Sequence, residues 1–492
     1  MSSTFSGYSI ASSGMRVSQS ALTVTSHNLS NINTTGYSRQ RVTGQEMALA
    51  QQGAISTGSG VSVQEITQAR NRFVDAVYRQ QNAELGYWGS KSASLDDAQT
   101  ILNEFTSDDG TSDNGLQQTI EEFFSSWEEL AKDPGSLSNR QSVIEYAKSL
   151  LDTAGELDTQ LQQLQLDAAD KVKDGVDELN DLAQQVADLN DQIKKAEVSG
   201  IEASDLRDKR DALIDSMSSL ANVTVSQQTD GMLEVNLGGV YLVQGSKTHT
   251  LAASGDGSAE NPLSIQWDHL GEAAKITHGS IAANLEDADQ SGVEAIDTTS
   301  IPYSYTADAV SSISNLRQGL NDLITTVAAQ VNTIHSANMG LDDTTGLNFF
   351  VTVDSSRPLS LGNIEVNSVL EDDTNKIAAS ASGDAGDNTA ATAIAALADE
   401  NNFEIDGLAM DCNTFYQGLT SWLATAGDTA NSYYETQSSL VSQVDNQRMS
   451  VSSVSLDEEM ANMIMFQNAY TASARVLSTI DGLVGDLIEE LG

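Results

Sequence analysis

Basic residues are scarce in this 492-residue chain: 24 Lys and Arg stand against 70 Asp and Glu, a formal net charge of −46. A surface of that sign repels nucleic-acid phosphates and anionic lipid heads alike, so neither nucleic acid nor membrane is an expected partner. The single cysteine, Cys412, excludes an internal disulfide framework. Only four prolines interrupt the chain, which leaves room for long helices. Aromatics make up 5 %, yet apolar residues reach 39 %, enough to build cores. No apolar run approaches membrane-spanning length. The opening MSSTFSGYSIASSG lacks the basic leader and apolar stretch of an ordinary secretory signal. A chain this long outgrows one compact core, so two or three domains are expected.

Signals for chemistry are equally thin. Of the five histidines, His27, His249, His269, His278 and His335, none stands at metal-ligand spacing with Cys or another His on one helix face. Gly245-Ser246-Lys247-Thr248 lacks the Gly-Lys-Ser/Thr succession of a phosphate loop and reads as a hairpin end. Asp108-Asp109-Gly110 and Asp342-Asp343 lack the alternating ligands and downstream Glu of a calcium loop. No Gly-x-Ser-x-Gly occurs. The expectation is a structural protein with no active site, no metal and no cofactor.

What is present is periodicity. Near the front, Met15, Leu22 and Leu29 fall every seventh position, and Ile32 follows three residues later. At the back, Leu456, Met463, Tyr470, Leu477, Val484 and Leu491 repeat the period, with Phe466, Ile480 and Leu487 three further on and Glu459 and Ser473 as exceptions. A strict heptad keeps one seam facing one partner along a helix. Ser455 with Glu458 resembles a capping box that starts the last helix near Leu456. Heptads alone leave open whether the partner is the same chain or a neighbour. The two ends also differ in charge: residues 1–45 hold Arg16, Arg39 and Arg41 with no acid, while 445–492 hold eight acids against Arg448 and Arg475.

Between the ends, apolar residues at helical spacing predict helices over 117–131, 156–198, 308–335 and 413–450. Asp133-Pro134-Gly135 stops the first of these. Residues 222–280 change character. Val223 and Val225 alternate with polar residues, Asp230-Gly231 and Gly238-Gly239 supply turns, and Leu233, Val235, Leu237, Tyr241 and Val243 alternate again. That is a β-meander. The fold class expected is mostly α: an elongated rod of long helices, its ends paired like a coiled coil, with one small β-rich insertion.

The end segments resemble the axial proteins of the bacterial flagellum. At the front the residues are Asn28-Leu29-Ser30-Asn31-Ile32-Asn33-Thr34-Thr35-Gly36-Tyr37-Ser38-Arg39-Gln40, among which Asn31, Gly36, Tyr37 and Arg39 mark the family motif. At the back they run from Val454-Ser455-Leu456-Asp457-Glu458-Glu459 through Phe466-Gln467 and Tyr470 to Ala474-Arg475-Val476. The interior narrows the resemblance to the first hook-associated protein family (FlgK), whose members join hook to filament. The residues are Asp133-Pro134 with Arg140-Gln141, then Leu206 to Leu213 with Asp208, Arg210 and Asp211, then Leu242-Val243-Gln244-Gly245-Ser246. Asn332-Thr333-Ile334-His335, Gly340, Asp342, Gly346 and Phe349-Phe350 complete the set. Many family members insert an outer domain after the double Phe, and residues 351–375 are too short to hold it.

The resemblance implies helical self-assembly through the terminal seams, here Met15, Leu22, Leu29, Ile32, Leu456, Met463, Phe466, Tyr470, Leu477, Ile480, Val484 and Leu487. It implies the hook protein and the second junction protein as neighbours, a cytosolic export chaperone at the C-terminal helix, and an extracellular place on the flagellum. Export would run through the flagellar type III apparatus without a cleaved signal. Three nested pieces are expected: 1–65 with 445–492 as an inner helical assembly domain, 66–215 with 285–444 as a middle helical rod, and 216–284 as an outer β-rich domain. Another axial protein, the second junction protein or flagellin, is the alternative within the class. A secreted coiled-coil adhesin is the alternative outside it.

Overall fold

The computed structural model describes residues 2–47, 50–52, 55–103, 115–198, 202–228, 230–258, 260–290, 302–305, 311–405 and 407–491. Helix α1 (Ser2–Ser30) opens the chain and is followed by strands β1 (Gln40–Glu46), β2 (Ala50–Gln52), β3 (Ile55–Thr57) and β4 (Val61–Gln68). Four helices come next: α2 (Arg72–Asn103), α3 (Leu116–Lys132), α4 (Leu137–Glu197) and α5 (Ser204–Leu220). The meander holds β5 (Val223–Gln227), β6 (Leu233–Leu237), β7 (Val240–Gln244), β8 (Lys247–Thr248), β9 (Leu251–Ser254) and β10 (Ser264–Trp267). Helix α6 (Ser280–Asp287), β11 (Tyr303–Tyr305) and α7 (Ser312–Ala337) lead to β12 (Phe350–Val351), β13 (Glu365–Val366), α8 (Ser368–Asp372) and α9 (Thr389–Ala396). Strands β14 (Phe403–Ile405) and β15 (Leu408–Met410) precede the two closing helices, α10 (Cys412–Ser452) and α11 (Leu456–Leu491).

The expected class holds: a mostly helical, elongated protein with long terminal helices and a β-rich insertion. Its backbone is α4, whose 61 residues span about 90 Å at 1.5 Å per residue. Sequence periodicity shows only the second part of this helix. The missed start follows directly on Pro134-Gly135, where the Ser136 side chain accepts from Asn139 N–H and caps the new helix.

Two hydrophobic clusters divide α4 between them. One buries Val143, Ile144, Leu150 and Leu157 against α3 (Phe123, Trp127), α7 (Leu316, Leu320), the double Phe and α10 (Phe415, Leu419). The other buries Val172, Val176, Leu179 and Val186 against Ile214 and Met217 of α5, Val235 and Leu242 of the sheet, Trp267 and Ile281. The sheet runs in the order β5-β6-β7-β8, antiparallel throughout, with β5 as an edge. Both glycines of the Gly238-Gly239 turn take positive φ, 59° and 100°, as its tight geometry requires.

The strand content exceeds the expected meander. β1 and β4 form an antiparallel hairpin, with a register shift between Thr43 and Gly44. No position of either strand is buried, so neither leaves the buried apolar alternation that periodicity detects. The hairpin packs beside α1 and precedes α2.

Candidate assembly interface

Helices α1 and α11 lie antiparallel, and their contact repeats every seven residues. A Cβ placed on Gly7 would sit 3.3 Å from Ile480 Cδ1, and one on Gly14 would sit 3.2 Å from Ser473 Oγ. One heptad further, Ala21 and Phe466 line the same small cavity. At the next, Asn28 Nδ2 donates to Glu459 Oε2 at 3.1 Å. The two faces are unlike. α1 offers glycines and the buried Ala11, Ser18, Ala21 and Thr25, while α11 offers large residues, and small packed on large lets the surfaces interlock.

This pairing sets where the seam residues lie. Met15, Leu22, Leu29 and Ile32 are half-buried at the margin of the contact, each of the first three one position beyond a member of the small-residue face. Met463, Phe466, Tyr470, Leu477, Ile480 and Val484 are half-buried on α11. Leu456 is 49 % exposed. The side chain of Leu487 lies outside the described residues. Beyond the seam, Met460, Ile464, Met465, Val476, Leu483 and Ile488 are 49–67 % exposed, an apolar outer surface of the kind that marks contact with another molecule.

The two breaks in the heptad have causes. Ser473 is short because Gly14 approaches it. Glu459 is charged because Arg39 reaches it: Nε and Nη2 donate to Oε1 at 2.8 and 2.7 Å, while Nη1 reaches Glu458 Oε2 at 2.6 Å. The side chains of Arg39 and Glu459 are 11 % and 2 % exposed, and a charge buried so deeply requires such a partner.

Around this pair the motif residues knot the chain. Asn28 uses all four positions of its amide. Oδ1 accepts from Tyr37 OH (2.8 Å) and Gln40 N–H (3.0 Å), and Nδ2 donates to Gln40 O (2.9 Å) and Glu459. Because Tyr37 gives its one O–H to Asn28, His27 Nδ1, 3.0 Å away, is the donor to the Tyr37 oxygen. Burial, with Asp205 nearby, raises the Tyr37 pKa. Asn31 Nδ2 donates to His27 O at 3.0 Å, closing the end of α1. Gly36 turns the chain at φ 78°, a conformation that other residues rarely adopt. Arg39 N–H then bonds to Ser452 O at 2.8 Å, the end of α10.

From the knot a ladder of ion pairs runs along α5. Ser38 N–H donates to Asp208 Oδ2 at 2.9 Å. Arg70 bridges Asp75 (2.8 Å) and Asp211 (2.9 Å), Arg79 bridges Asp211 (3.1 Å) and Asp215 (2.7 Å), and Arg448 bridges Asp215 (2.5 Å) and Asp445 (2.8 Å). Arg448 also lies over the Tyr78 ring, 4.0 Å from its centre. Burial pushes Asp208 up to about 6, opposed by the Ser38 hydrogen bonds and the Arg70 charge. The sequence does not single out this ladder. Asp208, Asp211 and Asp215 share a helix face at i, i+3 and i+7, but so acidic a chain presents many such triplets.

The interior motifs are latches. Arg140 donates from Nε and Nη2 to Pro134 O (3.0 and 2.7 Å) and from Nη1 to Ile377 O. Asn332 Oδ1 accepts from Phe349 and Phe350 N–H at 2.8 and 2.9 Å. His335 Nδ1 donates to Leu347 O (2.7 Å), and Nε2 accepts from Ala378 N–H (2.9 Å). That arrangement needs the neutral ring, and burial lowers its pKa to about 4. Among the described residues no three His, Cys, Asp or Glu side chains gather as a metal site, and no helix is long and apolar enough to cross a membrane.

Residues 102–350, just over half of the chain, match the model of the flagellar hook-associated protein FlgK helical domain. The chain belongs to the FlgK family. Residues 9–37 match the flagella basal body rod protein family, and 446–490 match the flagellar basal body rod FlgEFG protein C-terminal family. The FlgK relatives include flagellar hook-associated protein 1 of Bacillus subtilis, 29 % identical over 100 % of this chain and 99 % of the relative. That of Escherichia coli is 25 % identical over 97 % and 98 %. A solved structure, the flagellar hook junction protein FlgK from Burkholderia pseudomallei, covers 77 % of this chain and 100 % of its own at a TM-score of 0.59. At 15 % identity it speaks for the fold. The chain is thus a structural axial protein of the flagellum that assembles through its helical termini.

Proposed function

We propose that this FlgK-family chain is the junction subunit between hook and filament, held there by stacked copies of the α1–α11 pair. One observation carries the reading: α11 turns one face to the small residues of α1 and leaves Ile464, Val476 and Leu483 more than half or about half exposed. Covering the exposed half of each such side chain stabilises an assembly by roughly 1–2 kcal/mol. Head-to-tail contacts of this kind build helical tubes. In this reading 1–65 with 445–492 form the inner tube, 66–215 with 285–444 the rod, and 216–284 the outer knob. The neighbours are the hook protein on one side and the second junction protein on the other. Before export, the same C-terminal face is the surface for a cytosolic chaperone, and the chain leaves through the flagellar type III apparatus.

Deleting 1–30 or 460–492 tests this. The remaining chain should stay soluble and helical, because its two cores lie outside the deleted segments, yet fail to enter the hook tip. Filaments of normal number on cells carrying only the truncated chain would defeat the proposal.

A further inference from the structure

The last turns of α11 are barely covered by their own subunit. Gly7 faces Ile480 and Gly14 faces Ser473, a register that sets Ser2 level with Gly485 and leaves Ile488, Glu489 and Glu490 past the start of α1. Leu483 and Ile488 are 58 % and 67 % exposed, and a Cβ on Gly482 or Gly485 would meet nothing within 4 Å. Asp481, Asp486, Glu489 and Glu490 are exposed and form no ion pair among the described residues. This apolar and acidic helix end stands open on a chain whose net charge of −46 makes copies repel. Such an end is received most readily where cations stand unpaired.

Two such cations lie on the same terminal pair. Arg16 on α1 and Arg41 on β1 are exposed, and neither forms an ion pair among the described residues. α1 contains no acid, and α11 contains none between Met460 and Ile480, the stretch level with Arg16. In the hairpin, Glu46 turns its carboxylate to Gly58 and Glu65 stands opposite Thr43. Gln40 pairs with the Asn28 amide, so Arg41 lies beside the Asn28 level of α1. Arg16 and Arg41 thus mark two levels about 12 residues apart, about 18 Å along the axis. Between them Leu22 is half-buried at the margin of the α1–α11 contact.

We propose that residues 481–490 of one copy dock on α1 and β1 of a second copy, displaced along the axis by about 22 residues, about 33 Å. The contact rests on the proposed assembly through α1–α11 pairs and sets its register. At that displacement Asp481 stands level with Arg41, Glu489 and Glu490 fall within about one turn of Arg16, and Ile488 comes level with Leu22. Arg475, six residues before Asp481, passes beyond Arg41 toward Asp205, the carboxylate that Gln40 holds at 2.9 Å. A displacement one heptad longer or shorter answers only one of the two arginines. Apolar burial holds the copies together, and charge selects the register.

Paired cysteines report the contact. Within one copy, positions 41 and 481 are about 33 Å apart along the axis, too far to bridge, and the native Cys412 is buried. Hook tips isolated from cells making the full-length double variant Arg41→Cys, Asp481→Cys should yield disulfide-linked dimers and longer ladders on oxidation, while the free protein stays monomeric. In parallel, Arg41→Asp and Asp481→Arg should each lower incorporation at hook tips at least tenfold, and the two together should restore at least half of it. Tips that hold the cysteine variant without ladders, normal incorporation of either single charge variant, or no rescue in the pair would overturn the register. Absence of the unsubstituted chain from hook tips would instead defeat the junction reading on which the contact rests.

Discussion

Arg39 and Glu459, 420 residues apart in the chain, meet through an Nε–Oε1 hydrogen bond of 2.8 Å. This contact fastens the loop after α1 to the first turn of α11, and it places a charge where the heptad calls for an apolar residue. Breaking a buried pair by removing one member costs about 3–5 kcal/mol. Glu459→Ala should therefore open the terminal pair locally by about 3 kcal/mol, read as roughly 100-fold faster amide exchange over residues 20–30. Exchange there that is unchanged would show that the pair does not hold the helices together.

The helix contact itself is tested by size. Gly14 faces Ser473 at a distance that leaves no room for a branched side chain. Gly14→Leu should destabilise the α1–α11 pair by about 1–3 kcal/mol, as overpacking does. Adding Ser473→Gly should restore part of the loss. Absence of any such rescue in the double variant, measured by proteolytic release of α1, would place the two helices in another register.

His335 gives a pH dependence of known sign. Its folded-state pKa is near 4 against an ordinary 6.5, so between those values the unfolded chain binds a proton that the folded chain refuses. Stability from this group is present above pH 6.5 and declines as pH falls toward 4, by about 3 kcal/mol in all. His335→Gln should lower the melting temperature at pH 7.5 and flatten the acid limb. An acid limb of unchanged slope in that variant would remove His335 as its source.

Asp322 acts in the opposite sense. Burial raises it to about 7 from 3.8, although Tyr303 OH (2.8 Å) and Gln318 Nε2 (2.5 Å) both donate to it. Between those values the folded chain holds a proton that the unfolded chain has lost, so stability declines as pH rises toward 7. Asp322→Asn carries no titrating group, and melting curves should lose the decline between pH 4 and 7. Persistence of the full decline would assign it elsewhere.

The acidic shell adds a salt effect. At a net charge of −46, self-repulsion should outweigh screening of the buried ion-pair ladder, because buried pairs are screened less. Melting temperature should then climb between 0.05 and 0.5 M NaCl. A flat or falling response would mean that the surface charge does not oppose folding.

Much of this was legible in the sequence, for reasons visible in particular residues. α11 shows its period because Met463, Phe466, Tyr470, Leu477 and Ile480 are large and sit on one face. The meander shows because Val223, Val225, Val235 and Leu237 alternate. The contact face of α1 did not show, since Gly7, Ala11, Gly14, Ser18 and Ala21 carry almost no hydropathy signal. What stands out there, Met15, Leu22 and Leu29, lies beside the contact. The role of Glu459 was hidden because a charge in a heptad looks like a defect until Arg39 is placed next to it.

The most direct measurement is amide exchange over α1 and α11 in the free full-length subunit and again in subunits incorporated at isolated hook tips. Incomplete coverage of α11 predicts fast exchange in the free chain, relative to α4 and α7, and strong protection after incorporation. Equal, slow exchange of both helices in the two states would contradict assembly through them.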